Sequence, residues 1–283
     1  MRLNVSTILS AIIYVVCFSS QACQQTLYVP LIESNKDKLI TALLSLSVNK
    51  SGNDICIRQI DKSLTEARKS MFVDKGLIDV QWASKGSRAN RLLKPIPEAI
   101  FRGLGGYRIF VIRKGEQARF DKIFTLDDLK KLTAGQGDFW GDTKVLKSAG
   151  LPVVTSTQAR RLWKMLHAKR YDYLPLAVHE PWHDIKIRPE LNLTVEKNLL
   201  LVYPSALYFY VEQDDHKLYD LLLSGMQAAL ADGSYHALLL KSDMIQSVVK
   251  NANVKGRRII SINKTPAEIQ QDQFLNLLIK QTE

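Results

Sequence analysis

Hydrophobic patterning divides the chain around two β-rich runs. The first, Phe101–Arg113 (FRGLGGYRIFVIR), opens on Gly103, Gly105 and Gly106 and continues with Tyr107, Ile109 and Val111 alternating against Arg108, Phe110 and Ile112. A glycine cluster ahead of such a run predicts a bend feeding a strand. The second, Leu199–Val211 (LLLVYPSALYFYV), carries Pro204 and Ser205 inside it. The segment between them has a complete strand and helix pattern of its own. Two such runs bracketing a domain-sized insert predict two lobes joined by paired crossings, with a cleft between them.

Ahead of the first run, Thr26–Ile32 is a short apolar stretch that predicts a strand. Asn35 is placed to cap a helix over Lys36–Val48, with Leu39, Leu43, Leu44 and Leu46 on its apolar side and Gly52 ending it. Ile55–Ile60 predicts a strand, Ser63–Lys75 a helix closed by Gly76, and Leu77–Trp82 (LIDVQW) a third strand. Strand–helix–strand–helix–strand at this spacing predicts right-handed βαβ units and a parallel sheet. Ligands meet such sheets at the loops beyond the carboxyl ends of the strands. Those loops contain Glu33 and Trp82-Ala83-Ser84.

Within the insert, Thr125 and Asp128 predict a capping box for a helix from Leu126. Leu132–Phe139 is strand-like and leads through Trp140-Gly141-Asp142-Thr143 to a helix over Lys144–Ala149. Pro152–Val154 and Tyr171–Val178 predict strands, with a helix over Gln158–Lys169 between them, capped by Thr157. After the return run, His216–Ala231 predicts an amphipathic helix, Ser234 opens another to about Lys250, and Arg257–Ile262 is strand-like. Thr265-Pro266-Ala267-Glu268 is a capping box that starts a last helix.

With 283 residues and 46% hydrophobic content the chain can bury one or two cores. Met1–Ala22 stands apart: Arg2, an apolar run Ile8–Phe18, then Ser20-Gln21-Ala22 form the pattern of a secretory signal. The apolar run falls short of the ~20 residues of a spanning helix, so export, to the periplasm, is expected. Its removal leaves Cys23 and Cys56. An isolated pair in an oxidising compartment allows a disulfide, and two buried thiols fit nearly as well. The formal charge of +11 raises the question of nucleic acid. The doublets Lys130-Lys131, Arg160-Arg161 and Arg257-Arg258 fall on different predicted elements, with no zinc finger or aromatic RNA-binding motif beside them. A solvated basic surface with some attraction for anionic ligands or membrane is expected, and no nucleic acid.

Four features together resemble the type 2 periplasmic-binding fold, specifically the family 3 extracellular solute-binding proteins of bacterial amino-acid uptake. They are the export signal, the strand Leu77–Trp82, the stretch Ile96–Ile112 (IPEAIFRGLGGYRIFVI) and Asp232-Gly233-Ser234-Tyr235, similar to that family's D-G-[ST]-Y turn. The resemblance spans the mature chain in architecture, through diffuse motifs. It implies an α/β fold of two lobes, each a sheet flanked by helices, closing on a small polar solute such as an amino acid. A membrane permease or a sensor receptor would read the closed form, and the chain would act as a monomer. The divisions that follow are a signal peptide 1–22, a first lobe from 23–112 and 203–283, and a second lobe 113–202.

Two departures bear on the ligand. The family places Ser/Thr-x-x-Arg after the third strand to clamp an α-carboxylate, whereas this chain has Ser84-Lys85-Gly86-Ser87-Arg88 and then Arg91. The family's Gly-[ST] helix start reads Gly141-Asp142-Thr143 here, and Asp142 would repel a carboxylate. The ligand-binding candidates are Glu33, Trp82, Arg88, Trp140, Asp142 and Glu180. Trp82 and Trp140 fit the walls of a cleft and equally a core; Glu33 fits an ammonium partner or a surface carboxylate; Arg88 fits an anion clamp or a solvated loop; Asp142 fits a helix N-cap that also faces the cleft.

His179-Glu180-Pro181-Trp182-His183 matches H-E-x-x-H, which gives a second reading as a zinc hydrolase with His179 and His183 as ligands. That chemistry needs both histidines on one helix face. Pro181 belongs at the first position of a helix, which would leave His179 before it. No nucleophile elbow and no phosphate-binding glycine loop occurs, so no cofactor is implied and a non-enzymatic binding protein is the leading expectation.

Overall fold

The computed structural model describes residues 23–87 and 90–280; the expected signal peptide and Arg88 lie outside the described residues. β1 (Gln25–Val29), α1 (Asn35–Lys50), β2 (Ile55–Gln59) and α2 (Glu66–Asp74) follow in the expected order, and β1 pairs with β2 in parallel. Ser34, not Asn35, caps α1: its hydroxyl accepts the Asp37 N–H at 3.1 Å and donates to the Asp37 carboxylate at 2.7 Å. Thr125 and Asp128 form the full reciprocal box, whereas here the Asp37 carboxylate accepts from the Glu33 N–H at 3.3 Å rather than from the cap residue's own N–H.

The third strand begins later than its apolar pattern suggests, as β3 (Gln81–Ser84). Ile78 and Val80 are buried, and the Asp79 and Val80 N–H groups donate to the Tyr28 carbonyl, so this stretch runs beside β1 before the ladder forms. β3 then pairs antiparallel, not in parallel, because β11 (Leu207–Glu212) of the return run takes the place beside it, with β4 (Leu93–Pro95) on the other side of β11. A tight turn, Leu104–Gly106, enters β5 (Tyr107–Arg113).

Short helices α3 (Gln117–Phe120) and α4 (Leu126–Leu129) precede β6 (Ala134–Gly137), α5 (Gly141–Ser148), β7 (Val153–Ser156), α6 (Ala159–His167) and β8 (Leu174–Ala177). Gln158 rather than Thr157 occupies the α6 cap position, and its side chain makes no capping bond. α7 (Pro181–Lys186) starts at the proline, followed by β9 (Leu193–Val195) and β10 (Leu199–Val202). Return is through β11 (Leu207–Glu212), then α8 (His216–Ala231) and α9 (Ser234–Lys241). The single helix expected after Ser234 breaks at Ser242, whose extended backbone and hydroxyl cap α10 (Asp243–Asn251). β12 (Arg258–Ser261) precedes α11 (Pro266–Gln270) and α12 (Gln273–Lys280), which Asp272 separates by accepting the Leu275 N–H.

The crossings are β5 and the β10–β11 connection. They pair antiparallel, Val202 opposite Tyr107 and Leu201 opposite Arg108, and β5 is flanked in turn by β8 and β9. Gly106 lets them meet, since a Cβ there would lie 2.6 Å from the Tyr203 carbonyl oxygen. Along β5 the side chains change allegiance: Tyr107 and Ile109 join the first core with Leu43, Leu44 and Phe209, while Phe110 and Ile112 join a second with Phe120, Tyr173 and Leu201. β12 extends the sheet in parallel with β10, and its Ile260 sits in that second core.

Cys23 and Cys56 are joined, their Cα atoms 5.6 Å apart, and the bridge ties the residue just ahead of β1 to β2, where Cys56 lies opposite Thr26. The bridge closes a loop with a sequence separation of 33, for which loss of chain entropy in the unfolded state corresponds to about 3–4 kcal/mol. Reduction, or Cys56→Ser, is expected to lower the melting temperature by several degrees in calorimetry. An unchanged melting temperature would show that the bridge does not constrain the unfolded chain.

Candidate functional site

A cavity of about 310 Å³ lies where the two lobes and the crossings meet. The first turn of α1 brings Lys36 and Asp37 to it, β3 brings Trp82 and Ser84, and β5 brings Arg108. From the other side come Trp140 and Asp142 at the start of α5, Leu162 and Trp163 of α6, and His179 and Glu180 between β8 and α7. Ser205 reaches in from the return crossing. The aromatic walls are Trp82, Phe101, Trp140 and Trp163.

Arg108 is the centre of the polar arrangement. Alternation along β5 turns it away from the core that takes Tyr107 and Ile109, and it is 6% exposed. One terminal nitrogen donates to the Asp142 carboxylate at 2.6 Å and to the Ser205 hydroxyl at 3.0 Å, and Ser205 donates to the same carboxylate oxygen at 2.9 Å. The other terminal nitrogen stands 3.8 Å from Glu180. Glu180 also accepts from Lys36 Nζ at 2.9 Å and from the Ala177 N–H at 2.8 Å. The charges alternate along Lys36, Glu180, Arg108 and Asp142, running from α1 of the first lobe into the second.

Burial pushes the Glu180 carboxyl up, but Lys36, His179 and Arg108 outweigh it and hold the group down at about 2. Burial likewise works against the Lys36 ammonium, and Glu180 more than restores it. For His179 burial prevails: its ring lies 4.4 Å from that of Phe101 and its pKa falls to about 4, so it is neutral near pH 7. Asp37 is fixed on both sides, by the Trp82 indole N–H at 2.9 Å and the Ser34 hydroxyl at 2.7 Å. Glu66 accepts from the Ser87 hydroxyl at 2.7 Å, and burial raises its carboxyl.

Trp82, Trp140, Asp142 and Glu180 are therefore brought together. Asp142 is the second residue of α5, with Trp140 in the cap position, so it is not the N-cap. The repulsion it would exert on a carboxylate is neutralised by Arg108. Glu33 stands outside the lining: it is exposed, and its carboxylate turns to the Ser63 hydroxyl at 2.8 Å. Arg88 lies outside the described residues. Sequence reasoning passed over Arg108, Lys36, Asp37 and Trp163. Arg108 had a signal, a cation one position into a strand that is otherwise apolar until its last residue, Arg113; the others looked like ordinary helix residues.

The histidine pair does not form a zinc site. Pro181 opens α7, so His179 precedes the helix, packed on Phe101, while the glutamate is engaged by Lys36. Among the described residues no group of three or more His, Cys, Asp or Glu side chains could hold a metal ion.

No protein-family model matches the sequence, and no curated protein does. Solved structures do resemble it. A histidine kinase sensor domain with similarity to periplasmic binding proteins superposes with a TM-score of 0.58 at 16% identity, covering 77% of this chain and 96% of its own. An ancestral arginine-binding protein bound to arginine gives 0.56 at 17% identity, covering 77% and 98%. An amino acid ABC transporter substrate-binding protein from Streptococcus pneumoniae, bound to L-arginine, gives 0.56 at 14%, covering 77% and 93%. At these identities the likeness is one of fold: this chain has the two-lobed type 2 periplasmic-binding architecture.

Two outcomes test the cleft. A Cβ at Gly141 would lie 2.2 Å from the Lys85 carbonyl oxygen across the cleft, a backbone atom that no rotamer can move. Gly141→Leu is therefore expected to hold the lobes apart, seen as a larger radius of gyration in small-angle scattering; an unchanged radius would mean the lobes do not meet there in solution. For Glu180, a depressed carboxylate gives stability that is complete above its ordinary value of 4.5 and is lost as pH falls toward 2. Acidification through that window should loosen the Lys36 contact, read by tryptophan fluorescence, and Glu180→Gln should remove that part of the transition. An identical acid profile in the variant would show that the pair contributes nothing.

Proposed function

We propose that this chain is an exported, non-catalytic solute-binding protein whose lobes close on a small polar solute bearing a cationic group, an amino acid or related compound. The observation that carries this reading is the cavity between the lobes, walled by indole rings and lined with fixed charges. The carboxylates of Asp37, Glu66, Asp142, Glu180 and Asp184 outnumber the cations Lys36, Lys69 and Arg108, in a chain whose overall charge is +11. Indole faces add a further preference for cations. Two nitrogens of lining residues, Arg108 Nε and His179 Nδ1, are buried in this form without a hydrogen-bond partner.

In this reading residues 23–112 and 203–283 form one lobe and 113–202 the other, with β12 reaching across. Solute bound by both lobes shifts the population toward the closed form, which a membrane permease or a sensor receptor detects. The signal pattern in residues 1–22 and the Cys23–Cys56 bridge favour the periplasm, and the protein acts as a monomer. The structures it resembles include both transport proteins and a sensor domain, so both destinations are retained.

A thermal-shift screen against amino acids, amines and small anions tests this. A solute at about a hundred times its dissociation constant adds about 2.7 kcal/mol, which raises the melting temperature by several degrees. The expected result is a shift with an amine-bearing compound that is absent in Trp140→Ala. Stabilisation by anions alone would refute the cationic preference, and no shift with any compound would refute the binding role.

A further inference from the structure

We propose that the outer face of α6 is a docking surface for an anionic phospholipid bilayer. Residues 159–170 contain Arg160, Arg161, Lys164, Lys169 and Arg170 and no acidic residue, and all five cations are exposed. Elsewhere in the same lobe Arg113 pairs with Glu116, Arg119 with Asp172, Lys131 with Asp128 and Arg188 with Asp184, while exposed lysines such as Lys122, Lys144 and Lys147 form no ion pair among the described residues and serve as the control below. Among the described residues none of these five, three on α6 and two just beyond its end, takes part in an ion pair.

The helix keeps these charges against its own preferences. Arg160 and Arg161 sit in its first turn, at the positive end of the dipole, where the cap residue Gln158 supplies no side-chain bond. Lys164 repels both of them at i, i+3 and i, i+4 spacing. At the other end Arg170 N–H bonds to the Met165 carbonyl and Lys169 N–H to that of Leu166, the closing pattern in which glycine is favoured, yet Lys169 holds the left-handed backbone at φ 58°. Local rules broken repeatedly on one face, with no compensating contact inside the molecule, indicate a contact outside it.

Charge says the partner is anionic. The face presents long flexible cations with the small Ala168 among them and no exposed aromatic, unlike the anchor-rich centre of a protein–protein interface. It suits a laterally uniform surface of headgroups, where each Lys or Arg adds a similar increment. The inner side of α6, through Ala159, Leu162 and Trp163, lines the cleft. Docking by the outer side would therefore bring the second lobe's edge of the cleft close to the bilayer, and this holds whether or not the cleft binds the proposed solute.

The test is cosedimentation of the full chain with vesicles of phosphatidylcholine containing about 30 mol % phosphatidylglycerol. Three proteins are compared: wild type, Arg160→Gln/Arg161→Gln/Lys164→Gln, and a control of equal charge change on exposed lysines of the same lobe, Lys122→Gln/Lys144→Gln/Lys147→Gln. All share one N-terminus, so any contribution from residues 1–22 cancels. The expected result is a fall in partition of about a hundredfold in the α6 variant, a much smaller fall in the control, and loss of wild-type partition at about 0.5 M salt. Equal losses in the two variants, no loss in the α6 variant, or no partition of wild type overturns the proposal. Retention by duplex DNA without partition onto vesicles would assign the face to nucleic acid and overturn it as well.

Discussion

Arg108 carries a full positive charge out of water, and the meeting of the lobes is arranged around keeping it there. Removing such a group from solvent costs several kcal/mol unless opposite charge and hydrogen bonds are supplied nearby. Asp142 comes from a helix start of one lobe, Ser205 from the return crossing, and Glu180 from the turn that also holds Lys36 of the other lobe. No one element could satisfy the guanidinium alone. A displacement of α5, of the return crossing or of the β8–α7 turn leaves a charge buried with too few partners, so these segments are constrained together.

The fold was legible because it rests on local patterns. The glycine cluster before Tyr107, the boxes at Thr125 and Thr265, and the uninterrupted pattern of His216–Ala231 each report a local event. The misplacements occur where tertiary context overrides pattern. Leu77–Trp82 looks like one strand, but its first residues lie beside Tyr28 and only its end enters a ladder, with β11, a partner more than a hundred residues away. Ser242 and Asp272 break helices whose apolar spacing continues through them.

The site was legible only in part, for a different reason. Trp140 lies just beyond the end of β6 and Trp82 within the short β3, near the carboxyl edge where such sheets meet ligands. Asp142 was visible, but its meaning was not: a carboxylate that would repel an anion becomes the counterion of a guanidinium 34 positions earlier in the chain. Lys36 and Glu180 are separated by 144 positions, and nothing in either neighbourhood announces the other. The H-E-x-x-H match shows the reverse error, since identical letters lose their zinc geometry once proline fixes where the helix begins.

The return crossing has a consequence for how this protein can diverge. Leu200 and Val202 face one core, while Leu199, Leu201 and Tyr203 face the other. Neighbouring codons therefore answer to different halves of the molecule, and substitutions side by side in the gene fall under separate selective pressures. A lineage could repack one half by changing every second residue here and leave its twin intact, but a single inserted residue would exchange the two sets and damage both at once.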